Sequence, residues 1–423
     1  MKKETGMLVG LASIAMLLSV SCQRNYFNKE DYEEYTHGLY PVDTLDEGHD
    51  WNLLQRLRVR VSADLKISDM ASIQILSGNP YVDGAAEILA EKSATFGDEK
   101  WMIFEVPLTQ KYLCAAIVTG SGKYYVREFS VTQKEVDFSS GTVISQGNMI
   151  APEYQTFTYL FEESFPEPTD FDYNDIVLRI SKSVPAPNVL KLKVRLAAVG
   201  ASNTLAAAIR LPGIYYKDVE EVTIDEGKPF DADYPLMRQR LRGDDNLGEG
   251  KDGEAVINLF DNAHWSMKPE TDIMGAISAV NYNTRHYTDE GNSIVSLQTR
   301  NFTITLKNTL DVTGLQLSEL DPFIISPYNG VNFEIHTYPY KLSEVYWQFM
   351  GDDKQAYDDH LTWALLVPNG RFRYALEGTP IGTYRNGEIF GAYSKFHHSF
   401  GEWGRNHLTA TDWWQNPTTS LVY

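Results

Sequence analysis

From Trp51 onward, apolar residues tend to recur at every second position. In Gln55–Val61, Leu57, Val59 and Val61 fall on one side, with Arg56, Arg58 and Arg60 on the other. That is the period of a half-buried strand. Further strands are expected at Ser72–Leu76, Trp101–Val106, Leu113–Val118 and Tyr124–Val131, the last two joined by the Gly-Ser-Gly turn between Thr119 and Lys123. Residues 51–140 therefore read as a small antiparallel sandwich. A Gly- and Pro-containing connector follows, and a second series of strands begins near Tyr159. It covers Ile176–Ile180, Val189–Leu196, Ala207–Leu211, Val222–Ile224 and Ile294–Leu306, and the run Leu190-Lys-Leu-Lys-Val-Arg-Leu196 alternates without a break. Short helices are expected at Leu236–Leu241 and across Glu388–His398, where Ile389, Ala392, Tyr393 and Phe396 have roughly helical spacing. The expected fold is all-β: two antiparallel, jelly-roll-like β-sandwich domains, residues 51–140 and 141–423, with one or two short helices.

The N-terminus departs from this pattern. Met1-Lys-Lys-Glu4 precedes an apolar stretch from Met7 to Leu18, then Ser19-Val-Ser-Cys22. A basic start, a short apolar core and small residues at its end mark a secretory signal peptide, here residues 1–21. The stretch is shorter than the roughly 20 residues that span a bilayer. Cys22 is the expected lipid-attachment residue, although Ser19 stands where such sites usually have Leu. Residues 22–50, polar and without an apolar period, are expected to be a flexible stalk. The outer membrane is then a partner through the lipid anchor, with the protein facing either the cell surface or the periplasm. Cys114, in the apolar run Tyr112–Val118, is expected to be a buried core residue.

Charge narrows the partners. The chain has a formal charge of −20 over 423 residues, which argues against nucleic acid, a ligand that needs a basic footprint. It suits cation binding. The 25 Tyr and 19 Phe agree with a strand-rich chain.

The candidate chemistry lies in Asp170-Phe-Asp172-Tyr-Asn174-Asp175, followed at once by the apolar Ile176–Leu178. Alternating Asp and Asn oxygens on a tight loop suit Ca²⁺. Glu162 and Glu163, on the preceding strand, could close the site from the side. The loop is not an EF-hand: Asp175 and Ser181 stand where that motif requires Gly and Glu. The alternative is an Asx-rich turn whose side chains cap the strand end.

The run Tyr159-Leu-Phe-Glu-Glu…Asp170-Phe-Asp-Tyr-Asn-Asp-Ile-Val177 resembles the hallmark of the LruC-domain family of bacterial outer-membrane lipoproteins, with Glu163 where the family has Asp. Ala208–Ile214, Val256–His264, Phe323–Ile325, Leu361–Leu366 and the ending Asp412-Trp-Trp414 add to the likeness. Glu334–Tyr340 departs from it after His336. The resemblance implies a β-sandwich envelope lipoprotein that binds calcium, glycans or partner proteins, and no settled activity.

Nothing in the chain marks an enzyme. It has no His-Glu-x-x-His and no Gly-x-Ser-x-Gly. A hydrolase built on two carboxylates stays open, since their separation is a property of the fold. Trp403, Trp413 and Trp414 are candidate sugar platforms by residue type, against the simpler reading that such large aromatics are core. The expected function is a calcium-supported binding or adhesion module for a glycan or protein ligand. A periplasm-facing scaffold for another envelope protein is the alternative.

Overall fold

The computed structural model describes residues 41–82, 86–139, 141–163, 165, 169–225, 247–268, 280–286, 292–328, 331–337 and 362–423. The signal segment, Cys22 and the expected helix at Leu236–Leu241 lie outside the described residues. The alternating stretches form strands, and residues Pro41–Tyr423 make up one contact-linked unit.

The first eight strands are β1 (Leu54–Ser62), β2 (Met70–Leu76), β3 (Glu87–Ser93), β4 (Glu99–Pro107), β5 (Tyr112–Thr119), β6 (Tyr124–Ser130), β7 (Glu135–Asp137) and β8 (Glu153–Tyr154). They form two sheets, ordered β4-β1-β7 and β6-β5-β2-β3-β8. Val59 and Val61 of β1, Met102 and Phe104 of β4, Ile73 and Ile75 of β2, and Leu113 and Ile117 of β5 meet in one buried cluster. This is the core of a sandwich, formed because each strand directs every second residue inward. Cys114 is buried, packed with Leu76, Ile88 and Val126 on the other face of its sheet.

Thirteen further strands follow: β9 (Thr156–Phe161), β10 (Ile176–Ala186), β11 (Val189–Ala198), β12 (Ala206–Tyr215), β13 (Val219–Ile224), β14 (Leu247–Glu249), β15 (Glu254–Phe260), β16 (Asn281–Tyr282), β17 (Asn292–Ser293), β18 (Gln298–Leu306), β19 (Asp321–Tyr328), β20 (Val331–His336) and β21 (Ala364–Val367). A six-stranded sheet, β13-β18-β11-β10-β9-β21, accompanies a five-stranded one, β14-β15-β12-β19-β20. In β11, Leu190, Leu192, Val194 and Leu196 are buried, while Lys191 and Lys193 are exposed, as the alternation requires. The fold is an all-β sandwich architecture with short helices: α1 (Ala263–Met267) and α2 (Phe400–Arg405).

Two local expectations need correction. Glu388–His398 is not helical: Thr383–Arg385 (β22) and Glu388–Phe390 (β23) form a hairpin. Its turn, Asn386-Gly387, has φ of 51° and 85°, the left-handed pair that a tight hairpin demands. The helix starts later, where Ser399 caps it and Glu402 returns the bond in a capping box.

Residues 41–50 are not free stalk. Asp43 N–H donates to Tyr384 O at 3.2 Å, and Asp46 Oδ2 accepts from His407 N–H at 3.0 Å. His49 is buried; its Nδ1 accepts from Trp51 N–H at 2.9 Å. Nε2 must then carry the proton, and it donates to Trp403 O at 3.0 Å. Burial pushes the His49 pKa down to about 4, so the ring stays neutral at ordinary pH. The contacts to Tyr384, Trp403 and His407 join residues 341 to 361 positions apart, and no local period announces them.

Candidate metal centre

The acidic loop sits between the end of β9 and the start of β10. These neighbouring strands pair antiparallel from Ile176↔Phe161 onward, so the intervening chain must turn back sharply. Phe171 and Tyr173 adopt left-handed φ of 50° and 55°, which costs non-glycine residues about 1–3 kcal/mol each. Hydrogen bonds to the loop backbone and side chains offset that strain. Glu162 is wholly buried, and its carboxylate accepts from Phe171 N–H at 3.1 Å and Tyr173 N–H at 2.8 Å. It also accepts from the Thr169 hydroxyl. The Tyr173 hydroxyl donates to Thr362 O at 2.7 Å, and Phe171 O accepts from Ile381 N–H at 2.8 Å.

Asp172 ties the loop to the segment after Tyr374. Its Oδ1 accepts from Asn174 N–H at 3.0 Å, an Asx turn, and its Oδ2 accepts from Gly378 N–H at 2.7 Å. Asn174 donates its amide to Ala375 O at 3.1 Å. Its Oδ1 is buried with no hydrogen-bond partner among the described residues, and the same holds for Glu377 Oε2. Both oxygens approach one spot: a Cβ added to Gly200 would meet Asn174 Oδ1 at 1.9 Å and Glu377 Oε2 at 2.8 Å. Unsatisfied buried oxygens are rare in folded proteins and call for an explanation.

The six residues singled out by sequence divide into two groups. Glu162, Asp170 and Asp172 each place a carboxylate oxygen within 4.8 Å of the others, and Asn174 is joined to Asp172 through its backbone N–H. Glu163 and Asp175 are latches. Glu163 accepts from Ser202 N–H at 2.9 Å and Asn203 N–H at 3.0 Å, and Asp175 Oδ2 accepts from Glu163 N–H at 2.6 Å. Glu377 was missed. It comes from 200 residues further along the chain, and no spacing rule links it to the loop.

The electrostatics are one-sided. Burial raises the Glu162 pKa well above the carboxylate range, helped by Asp172 and Asp170. Burial likewise raises Asp172, with Asp170, Asp175 and Glu377 adding to it, and Asp175, with Glu162 and Glu163 adding. Glu377 is raised by burial and Asp170, with Thr284, Arg285 and Asn281 relieving only part. None of Glu162, Asp170, Asp172 and Glu377 has a Lys or Arg ion pair among the described residues. Such a group of carboxylates is stable only with bound protons or with a cation. All available donors are hard oxygens, the set that suits Ca²⁺.

Trp403, Trp413 and Trp414 are not a sugar platform. Trp403 and Trp413 are 1% and 0% exposed and Trp414 is 8% exposed. Trp413 lies 5.8 Å from Trp403, 5.1 Å from Phe400 and 5.1 Å from Tyr393, centroid to centroid. Phe400 in turn packs 6.2 Å from Tyr173. The aromatic cluster is thus core, and it buttresses the acidic loop from behind. Large rings favour this use because they remove much apolar surface from water.

Residues 188–414 match the family described as "Domain of unknown function (DUF4842)", more than half of the chain. The fold is similar to a crystal structure described as a "Putative lipoprotein from Bacteroides ovatus", with a TM-score of 0.52 and 15% sequence identity. That similarity covers 84% of this chain and 99% of the other. No curated protein matches the chain. Among the described residues, no helix is long and apolar enough to cross a membrane.

Proposed function

The chain belongs to the DUF4842 family, and from that premise we propose that it is a non-catalytic, calcium-supported binding module of the cell envelope. The LruC-type hallmark around Asp170–Asp175 and the signal-like N-terminus ending at Cys22 support an outer-membrane lipoprotein. The solved lipoprotein with a similar fold agrees with that reading. One observation carries the calcium claim: three carboxylates gather within 4.8 Å, and the same loop holds Asn174, whose buried amide oxygen has no hydrogen-bond partner among the described residues. Asp170, Asp172, Asn174, Glu162 and Glu377 would hold the ion, which would supply the missing positive charge. Glu162 and Asp172 already brace the loop backbone, so the ion would complete a lock between the loop and the 375–378 segment. The raised carboxylates do not argue for hydrolysis. The two grooves lined by Lys182 and Tyr154 contain none of them, and Glu162 is committed to backbone N–H groups.

The test is thermal unfolding of metal-stripped protein with and without CaCl₂. At a hundredfold excess over Kd, an ion bound only by the folded state adds about 2.7 kcal/mol. A rise of several degrees in Tm is expected for the wild type, and Asp172→Asn should lose most of it. Equal curves for wild type in CaCl₂ and in chelator would refute the calcium claim.

A further inference from the structure

We propose that the outer face of the six-stranded sheet is a binding groove for an acidic polysaccharide, one whose sugars carry carboxylate or sulfate groups. This deepens the binding-module reading above and rests on it, by naming a face and a ligand class.

The alternation of Leu190–Leu196 buries one side of β11 and turns Lys191, Lys193 and Arg195 to the other. The register places Arg179 of β10 directly opposite Arg195, so four cations share one face. Among the described residues none of the four forms an ion pair with Asp or Glu. Arg179 donates instead to a backbone oxygen, Phe372 O, at 3.3 Å. Two like charges set directly opposite each other destabilise a sheet. In a chain of formal charge −20, acids to neutralise them were plentiful, yet the face keeps its positive charge.

The rest of the face is built for a sugar rather than for a bare anion. Cross-strand partners of the cations are short hydroxyl and amide side chains: Ser181 beside Lys193, Asn301 on its other side, and Thr303 beside Lys191. Successive outward residues on one strand stand about 6.7 Å apart, so cations and hydrogen-bonding groups alternate over sugar-sized distances. Lys191, Lys193, Arg195, Ser181, Asn301 and Thr303 line a groove of about 360 Å³. At its edge stands Tyr154, 39% exposed, an aromatic ring that a sugar can stack on. Asp225 and Glu153 also line the groove, and Lys182 at its shoulder is drawn towards Glu105 and Glu319, so Lys182 is left out of the ligand set. Nucleic acid fits less well: its dense phosphate charge would be repelled by the acidic remainder of the surface.

The experiment uses the purified protein in EDTA, so that calcium bridges neither the glycan nor the loop. The probes are polygalacturonate oligomers, chondroitin sulfate, neutral dextran and a single-stranded DNA oligonucleotide. Binding to at least one acidic glycan and none to dextran is expected. It should weaken at least tenfold in Lys191→Gln/Lys193→Gln/Arg195→Gln, and likewise between about 50 and about 300 mM NaCl, where exposed charges are screened. Tm of that variant should be no lower than that of wild type, since the repulsion between Arg179 and Arg195 is relieved, and Lys111→Gln/Lys134→Gln should bind as wild type does. The inference is overturned if neither acidic glycan binds, if the triple variant binds like wild type, if dextran binds equally, or if DNA binds more tightly than both glycans. Because the assay contains no free calcium, a failed calcium titration leaves it readable, and the reverse also holds.

Discussion

Trp413→Ala is expected to destabilise the protein by about 3–5 kcal/mol, the usual cost of truncating a fully buried large aromatic. Tm should fall by roughly 5–10 °C in a chain of this size. The reason is geometric. Trp413 has no exposed surface and touches Trp403, Phe400, Tyr393 and Phe372. Part of the cavity would open behind Tyr173, since Phe400 lies between the two. Trp413→Phe should recover part of the loss by refilling the space. Urea unfolding of the three proteins checks this. Unchanged stability with weakened sugar binding would return Trp413 to the role of a surface platform.

In metal-stripped protein, stability is expected to fall as pH rises from about 5 to about 7.5. Glu162, Asp172 and Asp175 are held well above the carboxylate range, by burial first and by each other's charge second. In this window the folded chain retains protons that the unfolded chain has released. Through these carboxylates the folded state binds more protons, and their contribution to stability decreases with pH; His49, pushed down to about 4 by burial, opposes it below about pH 6.5. The stabilisation is complete below the ordinary carboxylate pKa and is lost as pH climbs through the folded values. A tenfold difference in one proton affinity is worth about 1.4 kcal/mol, so three such groups give a slope that urea unfolding resolves. Calcium replaces the protons and should flatten the slope. Asp172→Asn removes one ionisation and should be the more stable protein at about pH 7.5 without calcium. Glu87, raised to about 7 by burial, contributes in the same direction, and it does so equally in both proteins. Stability that rises with pH in the stripped wild type, or an equal slope in Asp172→Asn, would contradict the electrostatic account.

How much of this was legible follows from the range of each interaction. The Leu190–Leu196 strand was readable because alternation is local, whereas the cationic face needed the register that sets Arg179 opposite Arg195. The acidic loop was readable because four oxygen-bearing side chains, Asp170, Asp172, Asn174 and Asp175, lie within six residues. Two local signals passed unused: Asn386-Gly387 marks the hairpin, and Ser399-x-x-Glu402 marks the start of α2. The remainder was not legible by any local rule. Glu377 reaches the loop from 200 positions away, and Gly200 leaves room for it only in the folded chain. His49 and Trp51 find Trp403 across 350 residues. Glu162 and Glu163 are adjacent just past the end of β9, and their side chains diverge. That divergence explains why one braces the acidic loop and the other latches Ser202 and Asn203. Residue type suggested a sugar platform at Trp403, Trp413 and Trp414, and only burial could decide against it.

The most direct test of the calcium centre is calorimetric titration of metal-stripped protein with CaCl₂, in wild type and in Asp170→Asn/Asp172→Asn. One ion per chain is expected for the wild type, with Kd in the range of extracellular modules, about 10⁻⁴–10⁻³ M, and no binding in the double variant. No calcium-dependent heat in the wild type, or the same isotherm in the variant, would contradict the account.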